Sequence, residues 1–553
     1  MQKTVNIRCR NTGKIHRIPM GATLEEAYDL IGLSMPYGPT SAKVNNKVEG
    51  LHYMCFNDKD IDFLDITTPS GQRTYTRSLF FVLYKAVCDL YGQVRLVIDT
   101  PVSNGYYCHL ESEEAAFTFS VDRLKERMEQ IIRDDLPFHR ITAPAEEAIA
   151  LFRRNGLESK AKLLESYGRL YTNYYTLGDT ADYFYGSLLI HTGQIHLFDL
   201  IAYGEGLLLR LPDPKNPQQL RPMRRQDKMF DVFREQHRWQ QILGVSTIGE
   251  FNALIANGHA NDIINVSEAL QEKKISRLAD RIGSLPDVKV ILIAGPSSSG
   301  KTTFSKRLSV QLMAGGLRPV PISLDDYFVN REDTPLDEQG QYDFENIHAM
   351  NIPLFTQQMN ELIGGKEVEL PRYNFQTGRS EWSGQRLKLQ PGMLLILEGI
   401  HALNPLLTQE IPDKHKFKIY ASALTTILLD DHNYIPTTDN RLLRRIVRDY
   451  KYRGYSALDT IRRWPLVRAG EEKWIFPFQE EADEMVNTAM LFEFGALREQ
   501  ALPLLEEVPE TAPEYSEAYR LQKFLSYLRP IDVASLPPTS LLREFLGGST
   551  FQY

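Results

Sequence analysis

Short apolar runs separated by turn residues fill the start of the chain and predict a small α+β unit. Thr23 is placed to cap a helix, and Glu26 completes a capping box with it. Hairpin, helix, hairpin and strand in this order predict a β-grasp fold for residues 1–68. The expected elements are a hairpin of residues 4–9 and 15–19, a helix over 24–31, a hairpin turn at Asn45 and Asn46, and a strand over 60–66.

Apolar residues at helical spacing predict two helices within residues 206–284. We interpret both apolar faces as packing surfaces. The preceding stretch LPDPKNPQQLRPMRRQ is rich in Pro, Asn and Gln and predicts a loop, whose arginines we interpret as a solvated basic face. Residues 206–284 are therefore expected to be a helical connector, with loop residues Arg221, Arg224 and Arg225, a first helix over 228–245 through Phe230, Phe233, Trp239 and Ile242, and a second over 263–282 through Val266, Leu270, Leu278 and Ile282.

The apolar run VKVILIA at 288–294 is followed directly by GPSSSGKT and then by the helix-period segment FSKRLSVQLMAGG. A strand, a glycine-bounded loop ending in Lys-Thr, and a helix predict a P-loop nucleotide site, against the alternative of a Gly/Ser-rich surface turn. The glycines let the backbone aim its N–H groups at phosphate oxygens. Lys301 reaches the β- and γ-phosphates and the Thr302 hydroxyl ligates Mg²⁺. The expected ATP-binding loop is Gly295, Pro296, Ser297, Ser298, Ser299, Gly300, Lys301, Thr302 and Thr303.

Composition narrows the class of protein. A chain of 553 residues should hold roughly three or four domains. The net charge of -8 argues against a protein that binds nucleic acid over most of its surface. The four cysteines show no CxxC pair and predict free thiols. The charged N-terminus lacks the apolar core of a signal peptide, and no apolar stretch is long enough for a membrane span, so a cytoplasmic protein is expected.

Residues 1–68 resemble the TGS domain, and residues 69–205 resemble the second N-terminal domain of threonyl-tRNA synthetases. The latter resemblance rests on the order of TRSLFFVLYKAVCDLYG, SNGYYCHL, LKERMEQIIRDDLPFHR, AIALFRRNGLESKAKLLESY and DTADYFYGSLLIHTG. In that family an HxxxH and a CxxxH motif edit mischarged tRNA. The corresponding positions here are Arg77, Phe81, Phe184 and Leu188. Three apolar replacements cannot bind a metal or move a proton, so we expect the editing chemistry to be absent.

The function of this synthetase-like half stays open at the level of sequence. The fold could serve as an interaction surface for tRNA, another protein or the neighbouring P-loop part, and a purely structural role is an equal alternative. Three isolated histidines in the half are interpreted as surface or satisfied core residues, namely His109, His139 and His191.

Two further strands each end in an acid downstream of the P-loop. Residues 319–324 deliver Asp325 and Asp326, and residues 393–397 lead to Glu398. The carboxyl ends of parallel strands face the ligand crevice, so acids there can act on substrate or hold Mg²⁺. The structural alternative is that Asp325 and Asp326 only form a turn or cap a helix.

The segments around these acids resemble the uridine kinase and phosphoribulokinase family. Ser323, Asp325, Tyr327 and Phe328 match an S-x-D-x-aromatic-aromatic element, which implies that Asp325 is the catalytic base, and the EGI element implies that Glu398 lies on the metal side. QYDFENIHAM implies sugar binding by Asp343. LPRYNFQTGRS resembles Y-D-F-x-x-H-S-R and keeps the substrate residues Tyr373 and Phe375, but it has Asn374 for Asp, Gly378 for the base-recognising His, and Arg379 and Ser380 exchanged.

TTDNRLLRRIVRDYKYRG places arginines three or four residues apart on one helix face, where like charges repel unless an anion lies opposite. It resembles the family's lid helix over ATP, and the alternative is a solvated or RNA-contacting face. The expected roles are catalysis for Arg444 and Arg448, substrate contact for Arg441, with Arg445 as an alternative to Arg444, and ATP contact for Arg453. Residues 482–487 form a late strand, and the rest of the C-terminus is interpreted as packing without chemistry.

The sequence thus predicts an α/β P-loop kinase at residues 285–553, a parallel sheet with helices on both faces, preceded by the β-grasp and synthetase-like α+β units. The expected function is an ATP- and Mg²⁺-dependent nucleoside kinase, uridine- or cytidine-kinase-like, acting on a 5′-hydroxyl. A kinase of another small hydroxyl metabolite, and an RNA-associated P-loop ATPase that contacts tRNA through residues 1–205, are the alternatives. A GTPase is disfavoured because no NKxD motif follows the P-loop, and a homo-oligomer is left open.

Overall fold

The computed structural model describes residues 3–114, 117–337 and 340–552. The first unit has the predicted elements. One five-stranded sheet has the order β2-β1-β5-β3-β4, with β1 and β5 parallel at its centre, which is the β-grasp arrangement. Thr23 and Glu26 form the predicted capping box, and Asn45 and Asn46 turn with positive φ. The elements are β1 Thr4–Cys9, β2 Lys14–Pro19, α1 Leu24–Ile31, β3 Ser41–Val44, β4 Lys47–Glu49 and β5 Lys59–Leu64.

The second unit packs two antiparallel sheets around the long helix α2, Pro69–Tyr91. The sheets have the orders β11-β12-β7-β6 and β10-β9-β8. The other elements are β6 Arg95–Val102, β7 Gly105–Glu111, α3 Val121–Arg133, β8 Phe138–Pro144, α4 Ala145–Arg154, α5 Glu158–Tyr167, β9 Tyr171–Leu177, β10 Thr180–Asp182, β11 Asp199–Tyr203 and β12 Gly206–Arg210.

The predicted helical connector begins differently from expectation. Its first residues form β12, whose Leu207 to Arg210 pair with β7 inside the second unit's sheet, so the unit extends past residue 205. The proline-rich stretch expected as a loop forms the short hairpin β13 Pro212–Asp213 and β14 Asn216–Leu220. Both predicted helices are present, with an unpredicted one between them: α6 Asp227–Leu243, α7 Ile248–Ala256 and α8 Ala260–Gly283. Ile242 is 67% exposed, so the prediction that it packs is wrong.

The third unit is built on a five-stranded sheet of order β16-β19-β15-β20-β21, in which every neighbouring pair is parallel. Ile291 and Ile293 point into a core on one face, and Val290 and Leu292 into a core on the other, so helices cover both faces as predicted. The elements are β15 Val290–Ala294, α9 Lys301–Ala314, β16 Arg318–Ser323, α10 Ile352–Ile363, β17 Glu367–Asn374, β18 Arg379–Lys388, β19 Met393–Glu398, α11 Pro405–Thr408, β20 Lys416–Ser422, α12 Thr437–Arg453, α13 Ala457–Trp474, β21 Glu484–Asn487, α14 Glu493–Glu506, α15 Tyr515–Leu525 and α16 Arg543–Leu546.

One continuous apolar core joins the second unit to one face of the kinase sheet and to the C-terminal helices. At this contact Lys160 of α5 is fully buried between two carboxylates. Its Nζ lies 2.8 Å from Asp182 and 2.7 Å from Asp430, and His432 also binds Asp182. A buried, mutually paired set of charges fixes the two units against each other. Within the described ranges, no helix has both the length and the apolar character required to cross a bilayer.

Candidate active site

The phosphate loop leaves the central strand β15 and enters α9 at Lys301. A Cβ on Gly295 would lie 1.9 Å from the Ala421 carbonyl oxygen, so only glycine lets the loop pass β20 this closely. Gly300 has φ +78°, a left-handed conformation that turns the chain into the helix. Loop and helix terminus together present the N–H groups and the positive dipole end that bind phosphate.

The arginine-rich helix α12 and the following helix α13 hold the loop from the side. Arg441 donates to the Ser297 carbonyl at 2.9 Å, and Arg445 donates to the Ser297 hydroxyl at 2.9 Å. The Ser297 N–H donates to Glu471 of α13 at 3.1 Å. The loop's conformation is therefore set by contacts outside its own sequence.

The side chains expected at the phosphates and metal do converge. Lys301 Nζ donates to the Pro296 carbonyl at 3.2 Å, folded back along the loop. Thr302 donates to Glu398 Oε2 at 3.4 Å, which brings together the two predicted metal ligands from α9 and β19. Burial raises the pKa of Glu398 to about 7, opposed by Lys301 and reinforced by the charges of Asp325 and Glu544.

Asp325 stands at the carboxyl end of β16, in the short 3₁₀ turn Leu324–Tyr327. Ser323 pairs with Glu398 in the parallel register, so the two acids emerge from neighbouring strands. The Asp325 N–H donates to the Ser323 hydroxyl at 3.3 Å, which makes Ser323 the cap of the turn. Burial raises the pKa of Asp325, while Lys301, Arg453 and Arg448 act in the opposite direction.

The arginines of α12 divide into two groups. Arg441 and Arg444 are almost fully buried, with their guanidinium groups paired to Glu471 and Glu493 respectively. Arg444 also donates to the Thr488 carbonyl at 2.9 Å. Arg444 keeps one guanidinium nitrogen, Nη1, without a hydrogen-bond partner among the described residues, and this atom lies 3.5 Å from the Cβ position of Gly300 in the phosphate loop. Substrate contact by Arg441 and catalysis by Arg444 therefore stay predictions. Both also lie against the loop, Arg441 at Ser297 and Arg444 at Gly300.

The remaining arginines face the reacting edge. Arg445, Arg448 and Arg453 share Asp449, with nitrogen to oxygen distances of 3.2, 2.9 and 3.5 Å. Three cations on one carboxylate leave an excess of positive charge on this face, and Arg448 and Arg453 lie close enough to Asp325 to act on its pKa. Their placement fits the predicted lid roles.

The acceptor side carries aromatic residues next to Asp325. Asp326 accepts from the Tyr373 N–H at 3.2 Å, which fixes β17 beside the catalytic turn. The Tyr373 ring contacts Phe328 and Phe375 at centroid distances of 5.5 and 5.0 Å. Phe375 is 61% exposed and so presents a ring face to solvent. The predicted substrate residues Tyr373 and Phe375 thus lie side by side.

Asp343 and Gly378 take local roles. The Asp343 carboxylate accepts from the Glu345 N–H at 3.2 Å and from the Asn346 side chain at 3.3 Å, which turns the chain. Gly378 has φ +72°, and its Cβ would lie 2.7 Å from the Arg331 side chain. A histidine would not fit here, and Arg331 occupies the space that it would need.

Several charged residues near the site have no motif and were missed. Glu345 lies among Glu471, Arg445 and Lys301, and burial with the Glu471 charge raises its pKa to about 7. Burial lowers the pKa of His401, in the EGIHAL segment, to about 3, so this imidazole is neutral. Its position three residues after Glu398 was the one available signal.

The C-terminal segment, expected to have no chemistry, also reaches the loop. Glu544 of α16 accepts from the Thr303 N–H at 3.1 Å and from the Thr303 hydroxyl at 2.8 Å. Phe545 stacks its ring 5.0 Å from the Arg444 guanidinium, and Lys451 of α12 donates to the Leu546 carbonyl at 2.6 Å. An acidic side chain therefore lies on the first turn of α9.

The residues present fit a nucleotide with its magnesium ion. The buried hydroxyls of Ser298 and Ser299 have no protein partner in the described part of the chain, so they are free to bind phosphate oxygens. No cluster of three or more His, Cys, Asp or Glu side chains suited to a metal occurs among the described residues. Thr302 and Glu398 alone are too few ligands, which fits Mg²⁺ completed by phosphate and water oxygens.

The positions that match the synthetase editing motifs form a packed cluster. Phe81 and Phe184 contact each other at a centroid distance of 5.6 Å, and Leu188 is fully buried beside them in the same core. Arg77, one turn before Phe81 on α2, donates twice to the Ser187 carbonyl, at 3.0 and 2.9 Å. Three of the four positions are therefore occupied by apolar side chains that pack in the core.

Sequence comparison agrees with this geometry. The phosphoribulokinase / uridine kinase family matches residues 290–490, from the strand before the P-loop to the end of β21. Residues 290–490 are a domain of this family. A uridine kinase of Lactobacillus helveticus is 29% identical over 206 residues, which cover 37% of this chain and 89% of that enzyme.

The N-terminal region is similar to threonine–tRNA ligases. The enzyme of Acetivibrio thermocellus is 26% identical over 191 residues, or 34% of this chain, and the chain spans 30% of that ligase's length. Among solved structures, one described as a possible uridine kinase from Bacillus stearothermophilus shares 20% identity over 39% of this chain and 98% of its own, with a TM-score of 0.27. A synthetase-like region is thus fused to the family domain.

Proposed function

We propose that this chain is an ATP-dependent nucleoside kinase that acts on the 5′-hydroxyl of a uridine- or cytidine-like nucleoside. The observation that carries the proposal is the position of Asp325, at the carboxyl end of β16 and one strand from Glu398. A switch ATPase has no need of a base for an alcohol, whereas a kinase does. In the described part of the chain no lysine or arginine forms a direct ion pair with Asp325, so its carboxylate is available.

Different groups of the chain would bind the phosphates, hold the metal, accept the proton and supply positive charge. The loop N–H groups from Gly295 to Gly300 and the serine hydroxyls would hold the phosphates, and Thr302 with Glu398 would hold Mg²⁺. Bound ATP supplies the phosphoryl group, and the metal neutralises part of its charge. Asp325 accepts the proton of the acceptor hydroxyl, since burial brings its pKa closer to the working range of a base. Lys301, Arg448 and Arg453 supply positive charge at the same edge.

The aromatic surface beside Asp325 supports a planar acceptor. Tyr373 and the exposed ring of Phe375 offer π faces on which a nucleobase can stack. Because Gly378 and Arg331 replace the family's base-recognising histidine, a different hydroxyl metabolite is the second candidate. Arg331 favours that candidate if the acceptor carries an anionic group.

Turnover with a panel of acceptors tests the proposal. ADP release is measured with uridine, cytidine, adenosine, guanosine and several phosphorylated sugars, and the product is identified by mass. We expect a pyrimidine nucleoside to stimulate turnover and to gain one phosphate. Lys301→Ala and Asp325→Asn should each lower kcat by at least about 100-fold, while the exposed acid variant Asp333→Asn should leave it unchanged.

Other results distinguish the alternatives. If a sugar stimulates turnover and no nucleoside does, the result favours the second candidate, a kinase of a different hydroxyl metabolite. If RNA stimulates ADP release, no small product is phosphorylated and Asp325→Asn has no effect, the proposed kinase function is contradicted. These results would favour an RNA-dependent ATPase.

A further inference from the structure

A cavity of about 350 Å³ lies where the β-grasp unit, the second unit and α15 meet. Its walls include β4, the start of α2, residues 183–187 and α15. One rim is closed by contacts between the first and last units, where Lys47 lies 4.4 Å from the Tyr519 ring centroid. The Asn46 side chain also donates to the Glu510 carbonyl at 3.0 Å. The volume is within the range of small-molecule sites.

The charges that line this cavity are strongly unbalanced. Seven lysine or arginine side chains line it, against one carboxylate, Glu49. Glu49 is already paired with Lys47 at 3.2 Å. A chain of net charge -8 concentrates positive charge here, which is the opposite of what its composition predicts.

Four of these cations have no carboxylate partner among the described residues, namely Arg77, Arg140, Arg169 and Lys523. Arg77 donates to the Ser187 carbonyl and to the Thr74 hydroxyl, and Lys523 donates to the Tyr185 carbonyl at 2.6 Å. Burial lowers the pKa of Arg77 to about 10. Burial and the charges of Arg77 and Arg140 lower the pKa of Lys523 to about 8. Such a cluster is electrostatically unfavourable unless an anion binds between its members.

Aromatic rings complete the lining. Eight tyrosines contribute to the cavity wall, together with Phe184 from the former editing position. Tyr167 and Tyr527 stack on each other at a centroid distance of 4.2 Å, and Arg169 lies over the Tyr167 ring at 4.7 Å. Guanidinium groups and π faces side by side are the chemistry that binds phosphates and bases together.

We propose that this cavity is a second ligand site that binds a free nucleotide, with the phosphates on Arg77, Arg140 and Lys523 and the base among the tyrosines. A free nucleotide is favoured over RNA because the contacts of Lys47 with Tyr519 and of Asn46 with Glu510 close one rim. This site is separate from the P-loop and does not depend on the proposed acceptor.

The site has a direct connection to the kinase helix. Arg520 of α15 lines the cavity and pairs with Asp439 in the first turn of α12, at 2.5 and 2.8 Å. Arg520 and Arg73 also share Glu517, whose pKa their charges lower to about 2. A phosphate that attracts Arg520 competes with Asp439, so occupancy acts on the helix that carries the active-site arginines. The bound nucleotide is therefore an effector of turnover.

Calorimetric titration of the full-length Lys301→Ala protein tests this site with the P-loop weakened. The probes are pyrophosphate, UMP, UTP, CTP, ATP and a short single-stranded RNA. We expect at least one nucleotide to bind with a stoichiometry of one, and Arg140→Gln and Lys523→Gln each to weaken it about 10-fold or more. Arg140 is exposed, so its substitution leaves the fold intact, and Arg123→Gln on α3 is the matched control with no effect.

The outcomes separate this site from the kinase function. Binding that both cavity variants leave unchanged, or no binding by any nucleotide, overturns the proposal. Binding of the RNA alone also overturns it, in favour of a nucleic-acid site. In the wild-type background the same nucleotide should change kcat or KM, and Arg140→Gln should remove that change while leaving basal turnover intact. If no acceptor is found, the binding result still stands on its own.

Discussion

Glu544 and Thr303 are 241 residues apart in the chain, yet the Glu544 carboxylate accepts from both the N–H and the hydroxyl of Thr303, at 3.1 and 2.8 Å. Thr303 lies in the first turn of α9, where the helix dipole and unpaired N–H groups favour an anion. The carboxylate therefore takes a position that the P-loop geometry offers to a nucleotide phosphate. Its charge also acts on Glu398, the predicted metal ligand.

Replacing this carboxylate should strengthen nucleotide binding. In Glu544→Gln the side chain keeps its size but loses the charge that competes with and repels phosphate. We expect the Kd for ATP, measured by fluorescence titration or calorimetry, to fall about 3- to 10-fold, which corresponds to roughly 0.7–1.4 kcal/mol. Glu506→Gln, at the end of α14, removes one acidic charge elsewhere and should have no effect. Weaker binding by Glu544→Gln would instead mean that the carboxylate orders the loop.

The local chemistry of the site could be predicted from sequence because its residues lie in short contiguous segments of the chain. GPSSSGKT, the strand ending at Ser323 before Asp325 and the strand ending in Glu398 each combine an apolar run with a polar terminus. Parallel strands then bring their carboxyl ends to the same edge of the sheet, and this does not depend on the length or conformation of the connecting loops. The fold class followed from the same runs.

The partners of the arginines could not be predicted in this way. Helical spacing placed Arg441 and Arg444 on α12, but a spacing rule cannot say whether the opposing anion is a substrate or a protein carboxylate. Glu471 and Glu493, which bind them, lie 30 and 49 residues further along on other helices. Strand β12 was missed for a related reason, since its short apolar run pairs with β7, about 100 residues earlier.

Lys160 supports the contact between the second unit and the kinase sheet, and its removal should be costly. Lys160→Met leaves Asp182 and Asp430 buried without their shared cation, with His432 as the remaining partner. We expect a loss of about 3–5 kcal/mol, seen as a lower urea midpoint in tyrosine and tryptophan fluorescence. Lys162→Met, on the same helix but 40% exposed, should cost less than about 1 kcal/mol. Equal effects of the two variants would show that the buried charges contribute no specific stability.

Gly295 should tolerate no side chain. The Cβ of Gly295→Ala would meet the Ala421 carbonyl at 1.9 Å, so the loop or β20 must move. We expect a destabilisation of about 1–3 kcal/mol and a loss of ATP binding, measured by thermal denaturation with and without nucleotide. Gly315→Ala, at the other end of α9, would bring its Cβ no closer than 3.4 Å, to the Leu312 carbonyl oxygen, and should change stability by less than about 0.5 kcal/mol. A Gly295→Ala protein that binds ATP normally would contradict the close approach.

Lys523 should make stability depend on pH in the alkaline range. Burial and the neighbouring Arg77 and Arg140 lower its pKa to about 8 in the folded protein, against 10.5 when unfolded, while Glu49 acts in the opposite direction and Lys47 adds to the lowering. A lysine whose folded pKa is depressed costs stability in full below pH 8, and this cost disappears as pH rises to about 10.5. Lys523→Met removes the charge, so its Tm should exceed that of the wild type at pH 7.

The difference in Tm between Lys523→Met and the wild type should therefore shrink steadily between pH 8 and pH 10.5. The lost hydrogen bond to the Tyr185 carbonyl is absent from the variant at every pH, so it shifts the whole curve and leaves the slope unchanged. Lys162→Met, whose lysine is exposed, should show a difference that does not vary over this range. Saturating nucleotide in the cavity should flatten the Lys523 curve as well, because a bound phosphate restores the lysine's pKa. A Tm difference that stays constant from pH 7 to 10.5 would mean that Lys523 keeps its proton throughout and that the cluster is neutralised in some other way.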